Sequence, residues 1–390
     1  MYKSFPSLQK TLLILSLFCF QIGVCQWESI DQKMEAIPTS NETSVKDIAA
    51  YITSNFSTDS DKIRAVFYWI ITRIHYDVEN MYHPKPKTSE EKIKQLLTTK
   101  KGVCMHYSEL FKVLAAECGI KAVVIEGYTK EQGVIAPLGH SWNAALVNGT
   151  WKLYDATWGA GYVLNQMFVQ KLNNFYFDTT PTEFIKSHIP FDYMWQLLER
   201  PITQDDFYTD TFSSDKISSH YDFAKEIEAF EKQNTLDQLQ SQIHRLEVGG
   251  LKNSFLVDKM NLLKKELENF RNNSSIPKLM AIVKEFNDAN AVFNEFIFYR
   301  NKRFIPAVSD EELKMKIQKP MDMLIHCRQS VSEIKDISKE NEAGFVSLKK
   351  SIEDAIQLFE VQLHFVNEYL AKDATGREAM FLVKKKISKH

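Results

Sequence analysis

The chain has 390 residues, of which 44% are hydrophobic and 25% are charged, and its formal net charge is −2. This apolar content is enough for two hydrophobic cores. The nearly balanced charge creates no global field toward nucleic acid or an anionic membrane, so we predict neither of them as a partner.

The first 25 residues are typical of a targeting segment. Lys3 and Lys10 precede an apolar run from Thr11 to Phe20, which is too short for a comfortable transmembrane helix. We therefore predict a signal peptide at residues 1–25, cleaved near Cys25-Gln26, with a retained N-terminal anchor as the alternative. The mature protein would be exported to the periplasm, the cell surface or the medium, with no membrane insertion after cleavage.

Helical patterns dominate the chain up to residue 118. An apolar stripe from Val45 to Phe56 predicts one helix, and Thr58-Asp59 predicts the N-terminal cap of the next. A third helix is expected from Cys104 to Cys118, because Gly119 suits the position that follows a helix.

Cys104 lies on the apolar stripe of that third helix. The stripe continues through Tyr107, Phe111 and Leu114, so Cys104 faces the predicted core sheet from the first helical turn. The N-terminal end of a helix carries partial positive charge, which favours a thiolate over a thiol. Cys104 is therefore a candidate nucleophile.

Asn148-Gly149 predicts a two-residue β-hairpin, since it lies between two runs of β-branched and aromatic residues. Pairing outward from this turn sets His140 opposite Thr157. His140 and Asp155 then become diagonal neighbours on one face, with Cα atoms about 7–8 Å apart. A carboxylate in that position can accept a ring N–H and stabilise an imidazolium.

Cys104, His140 and Asp155 together predict thiol-based acyl transfer. Taken singly, each residue has a plainer interpretation: a small buried hydrophobe, a hydrogen-bonded strand residue and an edge charge. A zinc site built from Cys104, His106 and Cys118 is the chemical alternative, but the spacing is not that of a closed site. We predict no metal and no cofactor, and we expect Cys118 and Cys327 to be structural.

The same segments resemble the transglutaminase-like superfamily, whose core is papain-like, and within it the branch that contains kyphoscoliosis peptidase and secreted bacterial relatives. The resemblance covers about residues 42–210. The matching segments are Phe67-Tyr68-Trp69-Ile70, Ile74-His75-Tyr76-Asp77, Gly102-Val103-Cys104, Gly139-His140-Ser141-Trp142-Asn143, Asp155-Ala156-Thr157-Trp158-Gly159-Ala160-Gly161, Phe184-Ile185-Lys186-Ser187-His188-Ile189-Pro190 and Trp195-Gln196-Leu197-Leu198.

The resemblance implies roles for the three predicted residues. Cys104 would be the nucleophile, His140 the general base and acid, and Asp155 the orienting carboxylate. The backbone N–H of Cys104 is a candidate oxyanion donor, while Trp69 and Tyr76 are open to assignment either to the cleft or to the core. Relatives of this kind include peptidases, amidases, cross-linking enzymes and inactive members.

We therefore expect an exported thiol enzyme that acts on protein or peptide amide bonds through a thioester. A peptidase or amidase is favoured over a cross-linking transglutaminase, because no feature of the sequence indicates a lysine-binding channel. The alternative is a non-catalytic exported binding or scaffold protein built on a transglutaminase-like domain.

From about Ser218 the chain loses strand signals, and heptad-like apolar spacing predicts a helical bundle or coiled-coil-like domain. Pro277 is expected to open a new helix, and Pro320 to mark a kink or boundary. The predicted fold is α+β: a papain-like transglutaminase core of helices packed on an antiparallel sheet at 26–215, then an all-α domain at 216–390. The helices would serve protein–protein contacts.

Overall fold

A computed structural model of the chain describes residues 27–82, 88–212 and 215–382. The predicted signal peptide lies outside these residues. The chain divides into two compact units, the first ending at Leu262 and the second beginning at Leu263. Within the described ranges, no helix combines the length and the apolar character needed to cross a lipid bilayer.

Helices of the first unit come before and after a central sheet. Residues 27–35 are helical and precede the helices named here. The bounds are α1 Val45–Asn55, α2 Asp59–Arg73, α3 Ser89–Thr99, α4 Cys104–Glu117, α5 Ala156–Ala160, α6 Pro181–Phe184, α7 Gln204–Tyr208, α8 Phe223–Glu231 and α9 Thr235–Gly249.

The central sheet has five antiparallel strands in the order β8-β5-β4-β3-β9. Two small two-stranded sheets, β1-β2 and β6-β7, accompany it. The bounds are β1 His75–Tyr76, β2 Lys101–Gly102, β3 Ala122–Glu131, β4 Val134–Val147, β5 Thr150–Tyr154, β6 Gly161–Leu164, β7 Met167–Gln170, β8 Phe177–Thr179 and β9 His188–Pro190.

The sheet separates two hydrophobic cores, as the alternation of side chains along β4 requires. Ala145 and Val147 belong to the core that contains the apolar residues of α1, α2 and α4. Trp142 and Ala144 point to the opposite face, where they share a second core with Phe184 and other apolar residues. The predicted arrangement of helices on an antiparallel sheet is therefore confirmed.

The predicted hairpin is present, but its second strand is shorter than expected. Val147 pairs with Thr150, and the ladder ends where Asn143 pairs with Tyr154. The expected pairing of His140 with Thr157 is wrong, because Asp155 caps α5 with its side chain and the backbone turns into that helix. A local side-chain bond to the backbone thus ends the strand.

The second compact unit is helical in its described part. Its core contains residues from the remaining helices, including Phe293, Leu324 and Phe359, and the Phe293 and Phe359 rings stack with centroids 3.6 Å apart. The bounds of these helices are α10 Ser254–Asn301, α11 Asp310–Glu333, α12 Lys339–Leu370 and α13 Ala374–Leu382.

The C-terminal helices differ from the expectation in one respect. Pro277 was predicted to open a new helix, but it lies inside the continuous helix α10. The predicted change from strands to helices after residue 215 is present, although the division into compact units comes later, within α10. Ile227 of α8 belongs to the second core of the sheet, so α8 packs with the first unit.

Candidate active site

Helix α4 holds Cys104 at its first residue, beside the sheet. Val103 precedes the helix and donates its backbone N–H to His106 Nδ1 at 3.1 Å, which stabilises the helix start. One turn on, the Tyr107 hydroxyl donates to the backbone oxygen of Ile74 at 2.8 Å. These two bonds and the buried face of α4 fix the place of the sulfur.

Asp155 is held by the backbone of the helix that it caps. Its Oδ1 atom accepts the backbone N–H groups of Thr157 at 2.8 Å and Trp158 at 3.1 Å. Its Oδ2 atom accepts the Nε2–H of His140 at 2.7 Å. The side chain of Asp155 is fully buried. Hydrogen bonds to both of its oxygens fix the orientation of this carboxylate.

The sulfur of Cys104 interacts with the side of the His140 ring that faces away from Asp155. Because Nε2 of His140 faces Asp155, Nδ1 is the ring nitrogen left to bond the sulfur. Burial alone disfavours a thiolate, but the hydrogen bond and charge of His140, with further bonds from Ser141, outweigh it. The pKa of Cys104 therefore lies below its usual value.

The imidazole and the carboxylate show the complementary shifts. Burial disfavours charge on His140, yet Asp155 and Cys104 together raise its pKa to about 10. Burial likewise opposes the charged form of Asp155, but the bonds and charges of His140 and His188 hold its pKa far below the usual range. Near neutral pH His140 and Asp155 therefore carry opposite charges, and the imidazolium favours the thiolate form of Cys104.

A second histidine, to which the sequence assigned no role, also binds Asp155. His188 on β9 donates Nε2–H to Oδ2 of Asp155 at 3.0 Å, and its side chain is fully buried. Its Nδ1 atom lies 2.8 Å from the hydroxyl oxygen of Ser187. His188 stood in a segment already noted for its resemblance, but only the pairing of β9 with β3 brings it to Asp155.

The segment that contains the three predicted residues matches a known protein family. A family model for the transglutaminase-like superfamily matches residues 46–156, which include Cys104, His140 and Asp155. The chain contains a transglutaminase-like domain. The match covers α4, which carries the sulfur, and the hairpin that carries the imidazole.

The transglutaminase-like domain has curated relatives in animals. Kyphoscoliosis peptidase is 32% identical over 206 residues in Mus musculus and 29% identical over 206 residues in Homo sapiens. Each alignment covers 49% of this chain, and the chain spans 30% of the length of each relative. A solved structure, "Crystal structure of a TGase", is 16% identical with a TM-score of 0.25, covering 34% of each chain.

The sequence left two aromatic residues, Trp69 and Tyr76, open to assignment to the cleft or to the core. Trp69 is completely buried and donates its indole N–H to Glu42 Oε1 at 2.8 Å, so it belongs to the core. Tyr76 is half-buried, and its hydroxyl is close enough to Cys104 and Asp155 for their charges to affect its pKa. Burial, followed by the charges of Cys104 and Asp155, raises the pKa of the Tyr76 hydroxyl, which therefore stays protonated.

His140, Asp155 and His188 are also the one group of described residues whose ligand atoms converge as a metal site would require, within 4.8 Å of one another. Both imidazoles direct Nε2 at the same carboxylate oxygen, at 2.7 Å and 3.0 Å. Those distances are the ones expected of N–H donors and a charged acceptor. Hydrogen bonding thus accounts for the geometry of all three groups.

The two other cysteines in the described part of the chain lie outside this cluster. Cys118 directly follows α4, at the opposite end from Cys104, and burial raises its pKa to about 11. Cys327 on α11 is buried in the core of the second unit, where burial and the charge of Glu285 raise its pKa to about 11. Both are therefore thiols in hydrophobic surroundings, and Cys104 differs from them in having a lowered pKa.

Proposed function

We propose that this protein is an exported thiol enzyme that cleaves protein or peptide amide bonds with Cys104, His140 and Asp155. One observation carries the proposal: the sulfur lies at the start of a helix and its pKa is lowered by an imidazole that a buried carboxylate holds. That environment activates a cysteine as a nucleophile.

The proposed reaction uses two transfers at one carbonyl carbon. The thiolate of Cys104 attacks the amide carbonyl, forming a C–S bond and an oxyanion. His140 gives its proton to the nitrogen, the C–N bond breaks, and the amine leaves a thioester behind. Neutral His140 then takes a proton from water, whose oxygen displaces the sulfur, and a carboxylic acid is released.

The oxyanion of this reaction needs donors close to the sulfur. Cys104 is the first residue of α4, and the first N–H groups of a helix have no acceptor within the helix. The hydroxyl of Tyr76 is a second candidate, because it is protonated and electrostatically coupled to Cys104. We assign the backbone N–H of Cys104 and the Tyr76 hydroxyl to the oxyanion.

Hydrolysis is favoured over cross-linking as the fate of the thioester. The two mammalian relatives are named as a peptidase, and each aligns with this chain over 206 residues, which are 30% of its own length. Capture of the thioester by an amine would instead give an isopeptide bond. The second candidate function is an exported binding or scaffold protein, in which Cys104 would have no special reactivity.

Alkylation of Cys104 separates these two candidates. Iodoacetamide should label Cys104 of the full chain near pH 7 at least tenfold faster than an unfolded peptide thiol, since its pKa is lowered. His140→Ala should remove most of that advantage, while buried Cys118 and Cys327 serve as internal controls. Labelling of Cys104 at the rate of an unfolded thiol would favour the binding or scaffold function.

Mass spectrometry of cell-envelope proteins then distinguishes the fates of the thioester. Incubation with the enzyme should produce new carboxyl termini, whereas a cross-linking enzyme would produce isopeptides between chains. Cys104→Ala protein is the control for both products. A mixture with isopeptides alone would contradict the hydrolytic proposal.

Export and domain organisation complete the proposal. We propose cleavage of residues 1–25, a catalytic domain at 26–215, and a helical domain at 216–390 that binds a protein substrate or partner. N-terminal sequencing of the protein recovered from the periplasm or the medium tests the first point. Recovery of the uncleaved chain in the cytosol would contradict export.

A further inference from the structure

His188 is a fully buried, polar side chain that the proposed reaction does not use. It lies on β9 at the edge of the sheet, far along the chain from the hairpin that carries His140 and Asp155. Nevertheless its Nε2 atom reaches the same oxygen, Oδ2 of Asp155, that accepts the Nε2–H of His140. One carboxylate oxygen is thus shared by two imidazoles.

We propose that His188 is a positioning residue for the proton that His140 holds: as a neutral donor, it withdraws negative charge from the shared oxygen of Asp155 and so limits how tightly His140 is kept protonated. This inference rests on the proposed function, since it assigns His188 a part in the same reaction. His188 acts through Asp155 and touches no reacting atom.

The tautomer of His188 follows from its two neighbours. A carboxylate oxygen can only accept, so Nε2 of His188 carries the proton toward Asp155. The opposite nitrogen, Nδ1, then accepts the hydroxyl proton of Ser187 at 2.8 Å. With both nitrogens occupied in this way, His188 is a donor of fixed direction.

The charge state of His188 agrees with that geometry. Burial lowers the pKa of His188 to about 4, in spite of the opposing bond to Asp155. The charged or titratable groups that face it are Asp155, His140 and the ring of Tyr176. The other rings packed against it are uncharged: Trp142, Trp158 and Phe184. At neutral pH His188 therefore brings a dipole to Asp155 and no net charge.

The effect on His140 is electrostatic because the carboxylate is fixed without His188. Two backbone N–H groups, those of Thr157 and Trp158, hold the Oδ1 atom of Asp155. If the His188 donor were lost, only His140 of the two imidazoles would still donate to Oδ2, and this oxygen would carry more negative charge. His140 would then hold its proton more tightly and give it up to the leaving amine less readily.

Two substitutions separate donation from packing. His188→Phe fills the same place among aromatic rings, which approach its ring centroid to 4.2 Å at Phe184, but it cannot donate. His188→Gln retains an N–H donor at the end of its side chain but loses aromatic packing. A role in packing alone predicts that the phenylalanine variant behaves like the wild type and the glutamine variant does not.

The readout is the pH dependence of Cys104 alkylation in the full chain. With His188→Phe the acid limb of the profile should move to lower pH by about one unit, a tenfold change in thiolate on the limb, because a more firmly protonated His140 stabilises the thiolate. With His188→Gln the limb should stay within about a third of a unit of the wild type. An unchanged limb in His188→Phe, or a move to higher pH, would overturn the inference.

A measurement on the unmodified chain guards against a variant that does not fold. With 15N-labelled histidine, His188 should be neutral at pH 7 with its proton on Nε2, and His188→Gln protein identifies its signals. A proton on Nδ1, or an imidazolium, would overturn the inference. If His140→Ala slows alkylation and His188→Phe leaves it unchanged, only the role of His188 fails; if His140→Ala has no effect, the proposed function fails.

Discussion

The imidazole of His140 donates to the carboxylate of Asp155 across 2.7 Å, and the side chains are 9% and 0% exposed to solvent. Water therefore screens this pair poorly, and each group controls the charge of the other. Since Cys104 depends on the imidazolium for its own charge, the carboxylate acts on the sulfur through the ring. Substitution of single residues therefore tests whether the charge of the sulfur depends on the carboxylate.

Replacing Asp155 with asparagine should uncouple the sulfur from the carboxylate. Asp155→Asn keeps the shape but removes the charge that raises the pKa of His140 to about 10. The pKa of His140 should fall and that of Cys104 should rise, so the acid limb of iodoacetamide labelling should move to higher pH by a unit or more. Peptide turnover should fall by about 10²- to 10⁴-fold.

A matched control is Asp178→Asn. Asp178 is also an aspartate of the sheet, in the middle of β8, but its side chain is 35% exposed and it pairs with Lys152. This variant should label and turn over like the wild type. Equal effects of the two substitutions would show that loss of any carboxylate near the sheet matters, and that the bond to His140 does not.

Removing the hydroxyl of Tyr76 should impair turnover without changing the reactivity of the sulfur. Tyr76→Phe retains the ring that packs against Tyr107 and Phe168. Loss of one oxyanion donor lowers kcat by about 10²- to 10³-fold, whereas alkylation of a thiolate develops no oxyanion. Steady-state turnover and iodoacetamide labelling should therefore separate, and a parallel loss of both would contradict the assignment.

A suitable control for Tyr76→Phe is Tyr51→Phe. The Tyr51 hydroxyl donates to the backbone oxygen of Lys33 on the exposed side of α1. Its removal should leave turnover unchanged, because this hydroxyl has no part in the site. A comparable loss of turnover in both variants would instead indicate a general effect of removing a tyrosine hydroxyl from this domain.

Burial of neutral His188 should make the fold acid-sensitive. The pKa of His188 is lowered to about 4 in the folded chain, against 6.5 as its ordinary value. A depressed pKa means that the stabilisation is fully present above pH 6.5 and is lost as the pH falls toward 4. Over that window the free energy of unfolding should decrease by about 3 kcal/mol on account of His188.

Urea unfolding of the wild type and of His188→Phe, at several pH values between 4 and 7, measures this contribution. The variant has no group that titrates at this position, so its stability should fall less steeply with decreasing pH. Asp155 titrates far below this window and does not contribute to the difference. Parallel pH profiles for the two proteins would contradict a neutral, buried His188.

The sequence predicted those parts of the site that depend on local geometry. The Asn148-Gly149 turn fixes the register of β4 and β5, and the helix that begins at Cys104 ends near Gly119 as expected. Both features follow from turn chemistry and apolar spacing over a few residues. The contact between His140 and Asp155 was predicted as well, although through a strand pairing that the structure does not contain.

Features set by competition between local and distant contacts were missed. The hairpin between β3 and β4 was not predicted: these strands continue toward a turn at Gln132 and Gly133, both with positive φ. Pro277 lies within α10 although proline commonly ends a helix. His188 reaches Asp155 only because β9 pairs at the far edge of the sheet, which no short-range pattern specifies.

That edge pairing supplies the last prediction, at Gly127. A Cβ atom added there would lie 2.1 Å from the backbone oxygen of Ile189 and 2.5 Å from Cη2 of Trp142. Backbone of β9 cannot yield as a flexible side chain does, so Gly127→Ala should lower the free energy of unfolding by about 3 kcal/mol. Gly139→Ala is the control, since its Cβ would meet only the oxygen of Gly127, at 3.6 Å. Urea unfolding should show a loss of less than about 1 kcal/mol for Gly139→Ala. A loss as small as this for Gly127→Ala would mean that β9 moves aside freely.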